Sequence, residues 1–384
     1  MYQIPNEFNM KPKIIQEGKA KIRVFEPDEK KDVSKELEVF YNPLMKLNRD
    51  LSVLLLNSIE KEELQIADPL AGSGVRAVRF LTELDEDKIK SIRINDYSKE
   101  AVDLIKENIK LNEEELLCED IELSQLDANQ FLNESFGFDY IDIDPFGSPN
   151  FLLDSAVKRI SRGGILAVTA TDTSALSGTY PNAGYRKYWA KTIRQEHKHE
   201  AGIRILIRKC QLIGTQYEKA LTPILSYSKD HYFRIFFFVE KGKEKCDKIL
   251  KKHEYFHCCS TCARHEISRS NSNICCNKET QKAGPLWIGE LFDVKLLNKM
   301  QKSNQEDKNK KFIETLYQES KLDVPFFYDI HSICKKHKFA IPRTNELIEK
   351  IEKKGFKFSR THFLDTAIRS DMNFIELINL IKKK

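Results

Sequence analysis

The segment best suited to chemistry is FDYIDIDPFGSPNF, from Phe138 to Phe151. Its first half interleaves aspartates with β-branched and aromatic residues, which predicts a strand in a mostly buried sheet. Asp144 and Phe146 follow, where Pro145 ends the ladder and Gly147 turns the chain. Ligands of open α/β sheets bind at such strand ends. A carboxylate beside a flat ring suits chemistry on the exocyclic amine of a nucleobase, whereas the alternative is a capping Asp beside a core Phe.

A glycine turn precedes this segment. A short strand ends at Asp68, Gly72-Ser73-Gly74 follows, and a helix is predicted to begin near Val75. Glycines let the backbone approach a ligand, and a helix N-terminus offers free N–H groups. The pattern also fits a dinucleotide fingerprint, so alone it indicates only a nucleotide-like cofactor.

Acidic residues close the next two predicted strands. Asp96 ends the strand in IKSIRINDYS, where a carboxylate can take both ribose hydroxyls of NAD or of S-adenosylmethionine (AdoMet). Asp127 with Ala128 follows the third strand, where AdoMet enzymes often place a carboxylate against the adenine amine. Asp127 and Ala128 favour AdoMet over NAD as the cofactor. Helix capping is the alternative role for both Asp96 and Asp127.

The remaining periodicity predicts the fold class. Residues 17–25 alternate like one strand, and a helix beginning near Pro43 carries Arg49, which by local pattern alone lies on a solvated face. Five strand–helix units and an antiparallel hairpin at 221–228 and 231–242 follow. This order predicts the α/β, Rossmann-like sheet of AdoMet-dependent methyltransferases better than that of a dehydrogenase.

Composition predicts two domains, with a boundary at Gly242. Residues 243–384 hold 29 Lys and Arg against 19 Asp and Glu, a net charge of +10, while residues 1–242 carry −5. A basic domain beside an acidic one suggests a polyanion that one domain holds and the other modifies, although a Lys-rich soluble surface has the same composition. With no signal-like N-terminus and no apolar run of membrane length, we expect a cytoplasmic protein without a membrane partner.

Five of the nine cysteines fall between His257 and Gly289. Their spacing, C-x-x-C followed by C-C, predicts a small zinc knuckle, with reduced loop thiols as the alternative. The predicted ligands are Cys259, Cys262 and Cys276, with Cys275, Cys258 or His257 as the fourth. Cys275 is the doubtful one, because adjacent thiolates seldom bind one small ion.

Residues 326–371 predict a winged-helix-like module in the basic domain. A helix, a break at Pro342, a second helix, a glycine turn and a strand containing Arg360 follow in order. Such modules bind nucleic acid or dock on proteins.

Taken together, these segments resemble the tRNA (guanine-26-N2)-dimethyltransferase family. The matching motifs run in order from Glu17 to His362. They are EGKAK, FYNPLMKLNRD, DPLAGSGVRAVRF, NDYS, DAN, DIDPFGSP, ATDT, HEAGIRIL, YSKDHYFR and GPLWIG. The resemblance implies an AdoMet-dependent enzyme, with a C-terminal tRNA-binding domain, that dimethylates a guanine amine at the junction of two tRNA stems.

The resemblance also implies roles for individual residues. Arg49 and Arg76 would meet AdoMet, Asp96 its ribose, and Asp127 with Ala128 its adenine. The catalytic carboxylate would be Asp144, and Phe146 and Phe40 would line the guanine pocket. The knuckle departs from the family pattern, since the second C-x-x-C pair is incomplete, so catalysis is implied more firmly than zinc.

Three alternatives remain open from sequence. Ribosomal guanine-N2 and adenine-N6 methyltransferases use D-P-P or N-P-P, which Phe146 at the third position argues against. An RNA-binding adaptor with an inactive cofactor fold predicts loss of Asp96, Asp127 or Asp144, and all three are present. A nicotinamide dehydrogenase is the third alternative.

Overall fold

The structure is a computed structural model that describes residues 11–26, 39, 41–304 and 307–382. It divides into two compact units. The first is Met1–Ile143 with Lys158–Ser161, and the second is Asp144–Val157 with Arg162–Lys384. Within the described residues, no helix is long and apolar enough to cross a bilayer.

The first unit alternates strands with helices after an N-terminal hairpin. Its elements are β1 (Lys11–Glu17), β2 (Ala20–Glu26), α1 (Lys46–Ser58), β3 (Leu64–Asp68), α2 (Val75–Glu83), β4 (Ile89–Asn95), α3 (Lys99–Lys110), β5 (Ile121–Ser124), α4 (Ala128–Glu134) and β6 (Phe138–Ile143). Four strands pair in parallel in the order β5-β4-β3-β6. Their carboxyl ends therefore share one edge, as the sequence pattern predicts.

The strand predicted over residues 17–25 is confirmed from Ala20 onward as β2, but it begins three residues later, because residues 17–20 form the turn of a hairpin with β1. The chain reverses at Gly18, whose φ of 60° is a left-handed conformation that favours glycine. Asn108 near the end of α3 and Asn112 just after it hold the outer edge of β2. The side-chain amide of Asn112 bonds both the N–H and the C=O of Lys21, at 2.8 Å each, and Asn108 does the same at Arg23. These amides replace a neighbouring strand.

An ion-pair network fixes the hairpin against α1 and α2. Arg49 donates two hydrogen bonds to the carboxylate of Glu17, at 2.6 and 2.7 Å. Arg79 joins Glu17, Asp50 and Glu83. Burial raises the pKa of Glu17, but the bonds and positive charges of Arg49 and Arg79 outweigh it and keep that pKa low. The EGKAK and NRD motifs therefore meet in a buried structural contact.

The second unit begins with the rest of the α/β fold. Its first elements are α5 (Leu153–Arg159), β7 (Ile160–Ala170), α6 (Thr173–Leu176), α7 (Pro181–Tyr188), α8 (Lys198–Gln216), β8 (Lys219–Lys229) and β9 (Tyr232–Lys241). Residues 158–161, at the end of α5 and the start of β7, belong to the first unit. Strands β7, β9 and β8 pair antiparallel in that order. The predicted α/β class with a closing hairpin is therefore confirmed.

Short strands and helices complete this unit. They are α9 (Lys243–Leu250), β10 (His253–Cys258), β11 (His265–Ser268), β12 (Ile274–Cys275), β13 (Lys278–Glu279), β14 (Gln281–Trp287), α10 (Val294–Ser303), α11 (Asp307–Ser320), β15 (Tyr328–Asp329), α12 (Ile330–His337), α13 (Thr344–Lys353), β16 (Phe358–Arg360), β17 (Ala367–Ser370) and α14 (Phe374–Lys382). Two helices, α12 and α13, precede the antiparallel pair β16–β17, which is the predicted winged-helix-like order. Apolar side chains of these elements form one core.

A fully buried set of charges joins α8 to this C-terminal region. Arg369 donates to both oxygens of Glu200, at 3.2 and 2.9 Å, and to Glu319 at 2.6 Å. Arg204, one turn beyond Glu200, bonds the same carboxylate and the C=O groups of Trp287 and Gly289. The charges of two carboxylates and two guanidinium groups therefore balance within the interior. The second unit therefore packs around charges drawn from both sides of the predicted boundary at Gly242.

We predict that Arg369→Leu lowers the free energy of unfolding by about 3–5 kcal/mol, because it leaves buried carboxylates short of a partner. Urea denaturation measures the change. The control is Arg343→Leu, whose side chain is 88% exposed and 3.9 Å from Glu346. The Arg343→Leu substitution should lower the free energy of unfolding by at most about 1 kcal/mol. Equal stability of both variants would contradict a stabilising role for Arg369.

Candidate active site

The glycine turn after β3 has the backbone conformation expected of a close ligand approach. Gly72 and Gly74 have φ values of 55° and 73°, and Gly74 caps α2. A Cβ on Gly74 would lie 2.8 Å from the side chain of Ile105. Between them, the buried Oγ of Ser73 has no hydrogen-bond partner among the described residues. The turn therefore combines tight backbone packing with a polar atom that a ligand could satisfy.

Asp96 holds this turn to the end of β4. Its Oδ2 accepts a 2.8 Å bond from the N–H of Gly72, and its Oδ1 accepts one of 3.0 Å from Ser98. Each carboxylate oxygen can accept a further bond. Since Asp96 is half-buried, its remaining lone pairs suit a ligand at the turn.

Asn95 is a positioning residue that the sequence interpretation missed. Its side chain is fully buried, donates to the C=O groups of Pro69 and Leu126, and accepts from Ser124 Oγ and Leu126 N–H. One amide thus connects the segments that follow β3, β4 and β5. The only available signal was its place in the NDYS motif, where the neighbouring Asp96 drew the functional interpretation.

Asp127 caps α4. Its Oδ1 accepts from the N–H groups of Asn129 and Gln130, at 2.9 and 3.2 Å. The side chain is exposed, and Oδ2 has no hydrogen bond within the described part of the chain. Ala128 is buried beside it. Capping therefore uses one oxygen and leaves the other available to a ligand.

The two predicted cofactor arginines lie in buried ion pairs. Arg49 pairs with Glu17, as described above. Arg76 bonds Ser52 Oγ at 3.0 Å and lies 3.3 Å from Oδ2 of Asp142, a fully buried carboxylate that also accepts from Tyr140. Both arginines thus neutralise interior acids. Phe40 lies outside the described residues.

In the second unit, Asp144 is the residue that follows β6 in the chain. It is half-buried, Pro145 is buried and Phe146 is 50% exposed. Gly147 fastens this loop to the ATDT segment, because its N–H donates to Thr171 Oγ1 at 2.6 Å and its C=O accepts from Thr171 N–H at 2.9 Å. The carboxylate and the exposed ring therefore stand on an anchored turn.

Tyr188, at the end of α7, fastens the same loop from another side. Its hydroxyl donates to Oδ1 of Asp172 and lies 3.0 Å from Oγ of Ser148. Burial and the Asp172 carboxylate raise the pKa of Tyr188, so the hydroxyl keeps its proton. Asn150 adds a 2.8 Å bond from Nδ2 to the C=O of Lys187. No local sequence signal identified this support.

Tyr232, at the start of β9, is a second phenol beside the loop. It is 2% exposed. Burial raises the pKa of Tyr232, and the negative charge of Asp144 adds to that rise, so the hydroxyl stays protonated.

The structure brings four thiols together. The Sγ atoms of Cys259, Cys262, Cys275 and Cys276 all lie within 4.8 Å of one another. The Cys262–Cys275 and Cys275–Cys276 sulfurs are 3.7 and 3.9 Å apart. A tetrahedral site with Zn–S bonds of about 2.3 Å requires sulfurs about 3.8 Å apart, so the geometry fits zinc.

The turn after β12 lets the adjacent Cys275 and Cys276 join the same group. Cys276 and Asn277 have φ values of 52° and 58°, which make a tight two-residue reversal between β12 and β13. This reversal places the Sγ of Cys276 back beside that of Cys275. His257, bonded to Thr280 and Ser270, and Cys258 stand outside the group.

The chain resembles known proteins over nearly its whole length. Residues 18–382 match the family described as N2,N2-dimethylguanosine tRNA methyltransferase. The tRNA (guanine(26)-N(2)/guanine(27)-N(2))-dimethyltransferase of Aquifex aeolicus is 39% identical, covering 96% of each chain. The tRNA (guanine(26)-N(2))-dimethyltransferase of Methanobrevibacter smithii is also 39% identical, covering 97% of each.

A solved structure supports the same relationship. The complex of Trm1 from Pyrococcus horikoshii with S-adenosyl-L-methionine matches with a TM-score of 0.85 at 35% identity, covering 96% of this chain and 100% of that chain. The resemblance inferred from the motifs is therefore confirmed. This chain belongs to the N2,N2-dimethylguanosine tRNA methyltransferase family.

Proposed function

We propose that this chain transfers methyl groups from AdoMet to the exocyclic N2 of guanine 26 in tRNA, giving the N2-methyl and N2,N2-dimethyl products. The observation that carries the proposal is the family relationship over residues 18–382, together with Asp144 and Phe146 on the anchored turn after β6. The activities named for the 39% identical relatives support the same substrate.

Asp144 is the catalytic carboxylate in this proposal. Guanine N2 is a poor nucleophile because its lone pair is delocalised into the ring, and AdoMet supplies an already activated methyl group. Asp144 accepts a hydrogen bond from N2 and stabilises the positive charge that grows on nitrogen as the N–C bond forms. The methyl–sulfur bond of AdoMet breaks as the N–C bond forms, and the N2 proton passes along that hydrogen bond to the Asp144 carboxylate.

The same hydrogen bond accounts for two methylations. After the first transfer, N2 keeps one hydrogen that Asp144 can accept. After the second it has none, so the product loses its contact with the carboxylate and the reaction stops.

The half-exposed ring of Phe146 stacks on the base, which recovers part of the few kcal/mol spent on unstacking it.

The AdoMet site is proposed at the shared strand edge of the first unit. The turn with Gly72 and Gly74 approaches the cofactor, Asp96 binds its ribose, and Asp127 with the N–H of Ala128 binds its adenine. The positive φ values, the unpartnered Oγ of Ser73 and the free Oδ2 of Asp127 support this assignment. AdoMet in the Pyrococcus horikoshii complex supports the choice of cofactor.

Arg49, Arg76 and Phe40 complete the proposed site. The arginines would add cofactor contacts to the ion pairs that hold them in place, and Phe40 and Phe146 would line the guanine pocket. The basic segment 243–384, with its winged-helix-like end, holds the tRNA, which its net charge of +10 supports.

The first test is a single-turnover assay with AdoMet and tRNA, read by mass spectrometry of the product nucleosides. Wild type should give N2-methyl- and N2,N2-dimethylguanosine, mapped to position 26. Asp144→Asn should slow the reaction roughly 10²–10³-fold, because it removes the charge that stabilises the transition state while keeping the shape. Binding of AdoMet and tRNA should change much less.

This assay separates the alternatives. Modification of guanine 27 in addition to guanine 26 would indicate a broader choice of target, which is the choice that the name of the Aquifex aeolicus relative describes. Methylated adenine, or no transfer from AdoMet, would contradict the proposed function. A variant rate within a fewfold of wild type would leave Asp144 with a structural role only.

The second test concerns Asp96. Asp96→Ala should weaken AdoMet binding by about 1–3 kcal/mol, the range for hydrogen bonds to a charged group. Isothermal calorimetry measures the affinity, and Asp96→Asn is the control, since an amide oxygen can still accept from Gly72 while the charge is lost. Unchanged AdoMet affinity in both variants would remove Asp96 from the cofactor site.

The third test concerns the four thiols, which we propose hold one structural zinc ion. Purified, reduced protein should contain about one zinc per chain by elemental analysis. Cys262→Ser should lose most of that metal, whereas Cys118→Ser, in the first unit, should keep it. If protein purified without chelators contained no metal, the four cysteines would be reduced thiols and the proposed zinc site would be wrong.

A further inference from the structure

Helix α7 and the residues around it expose an unusual number of aromatic side chains. Tyr180, Tyr185 and Trp189 are 64%, 67% and 47% exposed. Tyr185 lies on α7, and Trp189 directly follows the helix with its N–H bonded to the C=O of Tyr185 at 2.9 Å, so the two residues are neighbours at the end of the helix. Large exposed rings this close together indicate a contact surface rather than part of the core.

The charges around these rings have one sign. Residues 173–195 contain four basic residues and no Asp or Glu, within a catalytic region that is otherwise net acidic. Lys187 pairs with Asp172 at 3.1 Å. The other three, Arg186, Lys191 and Arg194, are exposed and form no ion pair with any described residue. We call the three rings and these three cations the α7 surface.

The α7 surface is rigidly connected to the catalytic loop. Tyr188 and Lys187, between its rings, make the contacts to Ser148 and Asn150 described above. Phe146 and Phe151, in and after that loop, are themselves 50% and 53% exposed. The exposed rings of both segments therefore belong to one fixed arrangement.

Further contacts hold the end of α7. The ammonium of Lys209 lies 2.9 Å from the centre of the Trp189 ring and covers one of its faces. Arg208 Nη1 donates to the C=O of Trp189 at 3.3 Å. The backbone of Lys191 pairs in both directions with Gly284, at 2.8 Å each. The surface is thus preorganised, which lowers the entropic cost of binding.

We propose that the α7 surface binds the tRNA strand beside the target guanine. Its cations contact phosphates, and Tyr185 and Trp189 stack on neighbouring bases that lose their partners when the guanine leaves the helix. Rings interleaved with cations are the chemistry of single-stranded nucleic-acid recognition. This inference rests on the proposed function and adds a second tRNA contact, outside the basic C-terminal segment.

The test is the affinity of full-length protein for unmodified tRNA. Tyr185→Ala and Trp189→Ala should each weaken binding about five- to hundredfold, the range for losing one stacked base. Arg186→Ala should reduce the slope of log affinity against log salt by about one, because one phosphate contact is lost. Tyr185 and Arg186 are exposed, and Trp189 contacts Lys209 with one face of its ring, so an unchanged AdoMet affinity would verify that each variant keeps its fold.

Two matched controls belong with these variants. Phe136→Ala removes a 90% exposed ring from the loop before β6, and Lys90→Ala removes an exposed cation near the start of β4. Neither should change tRNA affinity. The protein contains two tryptophans, and Trp287 is 4% exposed, so quenching of tryptophan fluorescence by tRNA should disappear in Trp189→Phe.

The outcomes distinguish this inference from the proposed function. Wild type that neither binds nor methylates tRNA would refute the function itself. Wild type that does both, with unchanged affinity in Tyr185→Ala and Trp189→Ala, would overturn the α7 surface alone. A shift in oligomeric state with unaltered tRNA affinity would also overturn it, by making the surface a protein interface.

Discussion

Pairing of buried charge is the constraint on which both units depend. An isolated carboxylate in an apolar interior is costly, and each buried acid described here lies against a fixed arginine. In the first unit Glu17 lies between Arg49 and Arg79, and in the second Glu200 lies between Arg204 and Arg369. These pairs hold β1 against α1 and α2 in the first unit, and α8 against β17 in the second.

The same constraint explains why family motifs need not touch a ligand. Glu17 of EGKAK and Arg79 of VRAVRF pair with each other, and Glu200 of HEAGIRIL bonds Arg369 far along the chain. A substitution of one residue in such an ion pair leaves its partner buried with an uncompensated charge. Such motifs can therefore persist for structural reasons even where they flank the chemistry.

The strand ends were predictable from sequence, because parallel strands with intervening helices place each following residue at one edge. Asp96, Asp127 and Asp144 were located in this way. Partners distant in the chain were not predictable. Arg49 was interpreted as solvent-facing from its helix pattern, whereas the acid that buries it comes from the preceding hairpin. The sequence likewise left Cys275 as one of three possible fourth ligands, since the backbone dihedrals of Cys276 and Asn277, which bring the two adjacent thiols together, were not predictable from spacing.

The ion pairs around Arg369 constrain how the two parts of the chain can evolve. Arg369 supplies the positive charge for an acid on α8, which belongs to the α/β part of the fold. A gene fragment encoding residues 1–242 would thus express a helix with an under-compensated Glu200 in its interior. Exchanging residues 243–384 between relatives, by recombination or in the laboratory, requires that residues 200 and 369 remain compatible. We expect the two parts to evolve as one block, although their surface charges differ in sign.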